Sequence, residues 1–426
     1  MPTVAEQIAE TLQRCNKCGL CLAGCPIYKI TGIEWTNARG RIALVRSALL
    51  DKRVNIDDLK DPIFNCLTCN GCTEHCPAGV PTGEIIFRAR EEVLRQHGDS
   101  WLQRFLFRKV LSSPSLLYKA SRLLRLADVT GLRTLARKLG LTRVIGDAGK
   151  AEEMVPKVPP SEGIEAIKRL PQKIESPRQR VAYFVGCYAP NFAPERAAAT
   201  IRVLNRNNIE VEVPDFVCCG LPAAGYGDMN ASRDLAKTNI EMAERLKVDA
   251  IVTPCGSCSS FLKDYVKLLE GDPEWAERAK AFAAKVKDIS EYLMEVGLDK
   301  KMGELKLKVT YHDPCHLAHY QKIKEQPRAL LKSIPGVEFV EMAEADMCCG
   351  AAGSYAFKNY DLSRKVLERK MANVARTGAD VLVSSCPACV MQLSCGVNQE
   401  KMPVRVMEIV ELLDQAYQKA EESESS

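Results

Sequence analysis

The cysteines constrain this 426-residue chain more than any other feature of its sequence. Of the 19 cysteines, eight belong to one pattern and ten to another. Each pattern occurs twice. The first pattern, C-x2-C-x2-C-x3-C-P, occurs at Cys15, Cys18, Cys21 and Cys25 (the first motif) and at Cys66, Cys69, Cys72 and Cys76 (the second motif). The second pattern, a single cysteine followed by C-C-G and C-x2-C, occurs at Cys187, Cys218, Cys219, Cys255 and Cys258 (the first set) and at Cys315, Cys348, Cys349, Cys386 and Cys389 (the second set). Because thiolates are soft ligands that suit iron and inorganic sulfide, these patterns predict iron–sulfur clusters and an electron-carrying protein.

Charge and hydropathy narrow the class of protein. The formal net charge is only +5, which gives no indication of nucleic-acid binding by the chain as a whole. The sequence has no run of about eighteen apolar residues that could span a membrane, and no apolar core of signal-peptide length near Met1. So many free thiols without an export signal predict a reducing compartment, and we expect a cytoplasmic protein. A disulfide framework is disfavoured, because the cysteine spacings are those of metal ligands.

The first 180 residues divide into a helical cysteine domain and a basic segment. Residues 1–98 carry both motifs, with helices predicted at 37–50 and 82–97, so we expect a helical ferredoxin-like domain with two [4Fe–4S] motifs. Residues 99–180 are predicted to form a basic helical segment and a proline-rich linker. Eleven Lys or Arg and two Asp give 101–150 a charge of +9, on two or three amphipathic helices.

An internal repeat occupies residues 181–418. Strands alternate with helices in the same order in 181–300 and in 301–418, which predicts two parallel α/β domains, called CCG domains for their C-C-G triplets. A polar, frayed tail is predicted at 419–426. The expected fold class is therefore α+β and multidomain: a helical two-cluster ferredoxin domain followed by a duplicated α/β CCG domain. The single cysteine and the C-x2-C of each set follow predicted strands, at the sheet edge where such folds bind ligands. We therefore expect two similar halves related by an approximate two-fold, with their cysteines converging near the interface.

The two motifs have the spacing of two-cluster ferredoxins. In that arrangement three cysteines of one loop hold one cubane, and the cysteine before proline reaches the other cluster. The expected ligands of the two [4Fe–4S] clusters are therefore crossed: Cys15, Cys18 and Cys21 with Cys76, and Cys66, Cys69 and Cys72 with Cys25. Zinc sites built from pairs of C-x2-C would leave the third and fourth cysteines of each motif without a role.

Each set in the CCG domains offers five thiolates from three separate strand-to-helix turns. Adjacent cysteines cannot easily face one cubane from a regular element, so the pair requires an irregular loop, which Gly220 and Gly350 allow to bend. The five ligands predict one or two further [4Fe–4S] clusters in these domains, cubane or non-cubane in form. A structural zinc ion in either set is the alternative.

The whole arrangement resembles the iron–sulfur subunit family of glycolate oxidase and D-lactate dehydrogenase over nearly the entire chain. The resemblance rests on CNKCGLCLAGCP, the ARGRIALVR helix, CLTCNGCTEHCP, VCCGLPAAG, YHDPCH and MCCGAAGSY. It implies a subunit that takes electrons from an FAD-containing dehydrogenase subunit, which oxidises a 2-hydroxy acid such as glycolate or D-lactate. It also implies an acceptor such as a quinone or an electron-transfer protein. The sequence has neither a dinucleotide-binding glycine signature after a strand nor a Walker loop, so we expect this chain not to be catalytic alone.

Two rival hypotheses come from the CCG domains. These domains also resemble the heterodisulfide reductase subunit whose duplicated domain binds non-cubane clusters, which implies cleavage of a disulfide at a CCG cluster that the two cubanes supply with electrons. The other rival is a membrane-docking scaffold whose CCG domains hold zinc. Disulfide reduction with a reduced dye tests the first rival, and iron and zinc analysis tests the second.

Two groups of charged or ionisable residues outside the motifs have two interpretations each. Three histidines flank Cys315: His312, His316 and His319. They either deliver protons to a cluster or adjust its properties, or they hold a loop by hydrogen bonds. The loop-holding interpretation is favoured. Arg39 and Arg41 lie between the motifs, and they either stabilise a reduced cluster or lie on a solvated helix face.

The basic segment and the last cysteine are also open to interpretation. Residues 101–150 either contact the inner face of a membrane peripherally, through Trp101, Phe105 and Phe107, or dock onto the cluster domains or a partner subunit. Docking is favoured. Cys395 fits neither pattern and is predicted to be a buried free thiol.

Overall fold

Helices and loops build the N-terminal domain of this computed structural model, which describes residues 4–160, 163–299, 301–353 and 355–424. The helices are α1 (Val4–Gln13), α2 (Pro26–Thr31), α3 (Ala38–Leu49), α4 (Lys60–Phe64), α5 (Gly71–Glu74) and α6 (Thr82–His97), with 3-10 turns at Leu20–Leu22, Glu34–Thr36 and Ile56–Leu59. Both predicted helices are present within one residue of their expected ends. The Asn37 side chain caps α3 by accepting a hydrogen bond from the Gly40 N–H, and Gly98 ends α6. Val45 and Ile86 are fully buried between these helices.

The basic segment is helical, and it packs against both CCG domains. It contains α7 (Trp101–Phe105), a π-helical turn (Leu106–Val110), α8 (Pro114–Val129), α9 (Leu132–Lys138), α10 (Asp147–Ala151) and α11 (Ile164–Lys168), with 3-10 turns at Leu141–Ile145 and Glu152–Met154. Phe107 is buried with its ring centroid 5.3 Å from that of Tyr226, which agrees with docking, the favoured interpretation, and excludes a membrane contact for this side chain. Ala151 packs with Cys395, which is a buried thiol as predicted. None of the described helices combines the length and the apolar composition needed to cross a bilayer.

The two repeats contain the same succession of strands and helices. The first consists of β1 (Gln179–Tyr183), α12 (Ala189–Phe192), α13 (Pro194–Arg206), β2 (Ile209–Glu212), α14 (Leu221–Tyr226), α15 (Met229–Glu244), β3 (Ala250–Thr253), α16 (Gly256–Lys263), α17 (Tyr265–Leu268), α18 (Ala276–Lys285), β4 (Val286–Asp288) and α19 (Ile289–Val296). The second consists of β5 (Leu307–His312), a π-helical turn (His316–Tyr320), α20 (Glu325–Ser333), β6 (Val337–Phe339), a 3-10 turn (Tyr355–Phe357), α21 (Tyr360–Thr377), β7 (Val381–Ser384), α22 (Pro387–Gln399), β8 (Arg405–Glu408) and α23 (Ile409–Glu424).

Each repeat forms a four-stranded parallel sheet, with strand orders β2-β1-β3-β4 and β6-β5-β7-β8. The α+β organisation predicted from the sequence is confirmed. Sequence reasoning identified the first three strands of each repeat and missed β4 and β8. Both missed strands run directly into the following helix, so no turn signal separates the two elements in the sequence.

Reciprocal helix contacts join the two repeats. Helix α13 packs against α23, and α20 packs against α19. Helices α13 and α20 each follow the first strand of their repeat, and helices α19 and α23 each follow the last strand. In both contacts, therefore, the helix after the first strand of one repeat packs against the helix after the last strand of the other. Such reciprocity is the property of an approximate two-fold axis between the repeats. It places the carboxyl ends of both sheets around a common interior.

The predicted frayed tail is wrong as far as Glu424, where α23 ends. Ala420 is buried, and Arg206 of the first repeat pairs with Glu421 at 2.8 Å. The Tyr417 hydroxyl donates a hydrogen bond to the Asp299 carbonyl at 3.1 Å. The first repeat therefore supports the end of this helix, although the local sequence is polar.

Candidate metal centres

One cavity of the N-terminal domain collects cysteines from both motifs. Its walls include Cys15, Cys18, Cys21 and Cys76, the members of one expected crossed set. Arg39 lines the same cavity and donates a hydrogen bond to the Lys17 carbonyl at 3.2 Å. Burial raises the pKa of Cys21, and Arg39 acts in the opposite direction. This arginine therefore favours the thiolate form that a metal requires.

A second cavity contains the other expected set. Cys25, Cys66, Cys69 and Cys72 line it, and Cys72 also borders the first cavity. Arg41 lines it as well, fully buried, with hydrogen bonds to the carbonyls of Pro62 at 2.6 Å and Asn65 at 3.0 Å. Burial raises the pKa of Cys25, and the Arg41 charge opposes that shift. A solvated helix face is thus the wrong interpretation for Arg41.

The two motifs approach each other most closely at a pair of glycines. A Cβ atom on Gly24 would lie 2.2 Å from the carbonyl oxygen of Gly71, and one on Gly71 would lie 2.6 Å from that of Gly24. Any side chain at either position would therefore force the motif backbones apart. This approach allows Cys25 and Cys76, which follow the glycines, each to reach the cavity of the opposite motif.

The geometry makes a test of crossed ligation direct. We expect Cys76→Ala to remove the centre formed by the first motif, because Cys76 lies in that cavity. The other centre, which Cys66, Cys69 and Cys72 of the second motif form with Cys25, is expected to stay. Iron analysis together with EPR of the reduced protein distinguishes the two centres. Cys25→Ala is the matched control and should give the opposite loss, whereas loss of the neighbouring centre in each variant would contradict crossing.

All ten cysteines of the first and second sets line a single cavity of about 290 Å³ between the repeats. Cys66 and Thr68 of the N-terminal domain border it too. Helix α16 begins beside the cavity, and the Sγ of Cys255 caps this helix by accepting a hydrogen bond from the Cys258 N–H at 3.4 Å. The predicted convergence of the cysteines beyond the strand ends is therefore observed.

Within each set, the thiols contact one another in a fixed order. The order is Cys187, Cys218, Cys219, Cys258 and Cys255 in the first set, and Cys315, Cys348, Cys349, Cys389 and Cys386 in the second. These positions correspond one to one between the repeats. The local fold alone therefore produces the same five-thiol arrangement twice.

Both sets contain thiols that are prepared to ionise. Hydrogen bonds from Cys218 and Cys258 lower the pKa of Cys219 to about 5. Those from Cys348 and Cys389 lower the pKa of Cys349, the equivalent residue, well below its usual range. In the second set, hydrogen bonds from Cys255 and Cys389 also lower the pKa of Cys386. A buried thiolate is a ready first ligand for a metal.

Two further thiol contacts join the separate sites. Cys255 of the first set contacts Cys386 of the second set, and Ser257 lies 3.3 Å from the Cys386 Sγ. Cys69 of the second motif contacts Cys348 of the second set. A continuous file of thiols therefore runs from the N-terminal domain through the second set to the first set. We call it the thiol file.

The three histidines near Cys315 have different surroundings. The Nδ1 of His319 hydrogen-bonds the Cys69 carbonyl at 2.8 Å, and its Nε2 lies 3.5 Å from Asp346, so this residue holds a loop at the domain junction. His316 stacks on Tyr320, with its Nδ1 3.6 Å from the Cys315 Sγ. His312 is fully buried, and neither of its ring nitrogens makes a hydrogen bond.

Sequence reasoning missed Arg90, which ties the second motif to the first repeat. Its guanidinium, buried in the N-terminal domain, donates hydrogen bonds to the carbonyls of Ile63 at 2.8 Å, Cys66 at 2.6 Å and Gly225 at 2.8 Å. Burial lowers the pKa of Arg90 to about 10. No feature of the local sequence distinguishes it from the solvated arginines of α6.

The donor chemistry of these cavities fits iron–sulfur clusters. Every cavity presents thiols in groups of four or five, and thiolates are the usual ligands of such clusters. A structural zinc ion takes four ligands in tetrahedral geometry, which would leave one thiol of each five-membered set unused.

Comparison with known families assigns each part of the chain. The model described as "4Fe-4S dicluster domain" matches residues 11–80, and the "Cysteine-rich domain" model matches 181–263 and 309–394. The model "Glycolate oxidase iron-sulfur subunit, linker region" matches 98–155. The chain is thus an iron–sulfur protein in which a dicluster domain is joined to a duplicated cysteine-rich domain.

Relatives extend this likeness to full length. The chain is 36% identical to a probable glycolate oxidase iron–sulfur subunit of Bacillus subtilis, over 95% of this chain and 94% of the relative. It is 27% identical to the glycolate oxidase iron–sulfur subunit of Escherichia coli, over 96% of this chain and 95% of that relative. It is 31% identical to lactate utilization protein A of a Geobacillus species, over 55% and 99%. The chain belongs to the glycolate oxidase iron–sulfur subunit family.

Proposed function

We propose that this chain is the electron-transfer subunit of a 2-hydroxy-acid dehydrogenase complex. The observation that carries the proposal is the thiol file, which runs from the second-motif cavity, at Cys69, into the central cavity and through both of its sets. Iron–sulfur clusters, when bound, take up and release one electron at a time. The protein's part is to hold these groups close together, shield them from water and set their charge environment through Arg39 and Arg41.

The proposed ligands are the eighteen cysteines of the two patterns. Two [4Fe–4S] clusters are assigned to the crossed sets of the motifs, and one or two further [4Fe–4S] clusters to the first and second sets. Zinc in either set is the outcome that metal analysis would have to exclude. Support comes from the shared cavities and from the low pKa of Cys219 and Cys349.

The proposed partner is an FAD-containing dehydrogenase subunit that oxidises glycolate or D-lactate. The relatives named for glycolate oxidase and for lactate utilization support this class of substrate. A quinone or an electron-transfer protein is the proposed acceptor. Because two-electron oxidation of a hydroxy acid requires a flavin or a similar cofactor, the partner performs that step.

Purification with and without co-expressed partners tests this division of labour. We expect the isolated, iron-loaded chain to oxidise neither glycolate nor D-lactate with an artificial acceptor. A co-purifying flavoprotein should bring this activity, and its reduced flavin should then reduce the chain. Hydroxy-acid oxidation by the flavin-free chain would overturn the proposal, as would disulfide reduction without any flavoprotein partner.

We propose further that the exposed face of α8, α9 and the following turn rests on the cytoplasmic surface of a membrane. Its side chains are each more than half exposed: Leu123, Leu126, Val129, Leu132, Leu135, Leu139, Leu141 and Val144. The same two helices carry the basic residues Lys119, Arg122, Arg125 and Lys138. The two acidic residues of the segment are paired, Asp128 with Arg133 at 2.9 Å and Asp147 with Lys150 at 3.3 Å. An apolar face with a surplus of positive charge suits acidic phospholipids.

Vesicle flotation tests the membrane contact. We expect the protein to float with vesicles containing acidic phospholipid, and a variant with Leu123→Ser, Leu126→Ser and Leu132→Ser to remain behind. The matched control carries Leu170→Ser and Met294→Ser, which alter exposed apolar residues elsewhere and should still float. Equal flotation of the parent and the first variant would refute this surface. A parent that ignores vesicles, with a variant that loses its flavoprotein, would assign the face to the partner.

A further inference from the structure

The two sets differ at one buried position beside the central cavity. The strands that precede Cys187 and Cys315 are equivalent, and each carries a buried tyrosine, Tyr183 and Tyr311, four residues before the cysteine. The next residue is Phe184 in the first repeat and His312 in the second. The Phe184 ring packs 5.2 Å from Phe216 among apolar neighbours. Phe184 of the first repeat therefore shows which residue the same fold accommodates at the position of His312.

His312 lies within ligand distance of the second set. One of its ring nitrogens and the Sγ atoms of Cys349 and Cys389 all lie within 4.8 Å of one another. The residue is completely buried and lines the central cavity. No described residue of the chain hydrogen-bonds either ring nitrogen. Leaving a buried polar group without a partner costs about 1–3 kcal/mol, so this arrangement indicates a partner that the amino acids alone do not supply.

We propose that His312 is a nitrogen ligand of the metal centre held by the second set. The first set has no counterpart, because Phe184 cannot coordinate a metal. The two centres are therefore chemically unlike, despite their equivalent cysteines. This inference rests on the proposed iron–sulfur occupancy of the second set.

His316 provides a matched comparison. It is also buried near Cys315, but its ring is held by stacking on Tyr320, with centroids 4.7 Å apart. Its equivalent in the first repeat is Tyr188. The variants His312→Phe and His316→Tyr therefore each introduce the residue that the other repeat already accommodates, which limits damage to the fold.

Pulsed EPR of the full, iron-loaded chain, purified without oxygen and labelled with 15N-histidine, tests the assignment. We expect a directly coordinated histidine nitrogen in the spectrum of the reduced parent protein. The coupling should be absent from His312→Phe and from Cys349→Ser, which identifies the second set, and present in His316→Tyr. The rate at which a chelator removes iron from the second set should rise at least about tenfold in His312→Phe.

A coupling that survives in His312→Phe, or a parent protein without any histidine coupling, would overturn the assignment. Iron analysis of the parent separates this failure from that of the proposed function. A parent with full iron but no histidine coupling rejects only His312 as a ligand, whereas a parent without iron in the second set rejects both.

Discussion

Replacing Cys349 with serine is expected to remove the metal centre of the second set and to isolate the first set from the N-terminal domain. Hydrogen bonds from Cys348 and Cys389 lower the pKa of Cys349, which lies in the middle of the contact order of its set. A serine hydroxyl at this position is a hard and weakly acidic donor that binds iron poorly. The thiol file passes from Cys69 through the second set before it reaches the first set, so its middle section would be lost. We expect reduction of the first set by a partner flavoprotein to be abolished.

Iron analysis and rapid-freeze EPR measure this effect, and the repeat supplies the control. Cys219→Ser alters the equivalent thiol of the first set, which is the last set that the thiol file reaches. It should remove the first-set centre and leave both the N-terminal centres and the second set reducible at the parent rate. If the first set of Cys349→Ser is reduced as quickly as in the parent, the thiol file is not the path of the electrons.

Arg90→Met is expected to lower the free energy of unfolding by about 3 kcal/mol, because three buried carbonyls lose their charged donor. Methionine fills a similar volume but donates no hydrogen bond. The carbonyls belong to Ile63 and Cys66 of the N-terminal domain and to Gly225 of the first repeat. The variant should therefore also loosen the contact between these domains and expose the Cys66 loop. Urea unfolding and limited proteolysis of the iron-loaded protein measure the two effects.

Arg88→Met is the control on the same helix. Arg88 pairs with Glu91 at 3.0 Å, one helical turn away, and such i,i+3 pairs contribute about 0.2–0.5 kcal/mol. We expect its unfolding midpoint to stay close to that of the parent. Equal destabilisation by the two variants would show that the hydrogen bonds of Arg90 do not hold the domains together.

The histidine and arginine residues show where sequence reasoning was incomplete. The loop-holding interpretation favoured for the histidines describes His319, whose ring bonds the Cys69 carbonyl. It does not describe His312, which has no hydrogen bond. Arg41 could equally have faced solvent, since a helix surface pattern does not distinguish a solvated cation from one that binds distant carbonyls.

The sequence by itself determined the chemistry of this protein, because the spacing of cysteines within a loop fixes which thiolates can bind one metal group. It also determined helices α3 and α6 and the three longer-patterned strands of each repeat, whose periodicities and caps are local. The tertiary structure alone decided that Cys69 meets Cys348 and that His312 faces Cys349. These contacts join residues from separate elements, and their geometry depends on how whole helices and sheets pack. The spacing of residues along the chain carries no record of that packing.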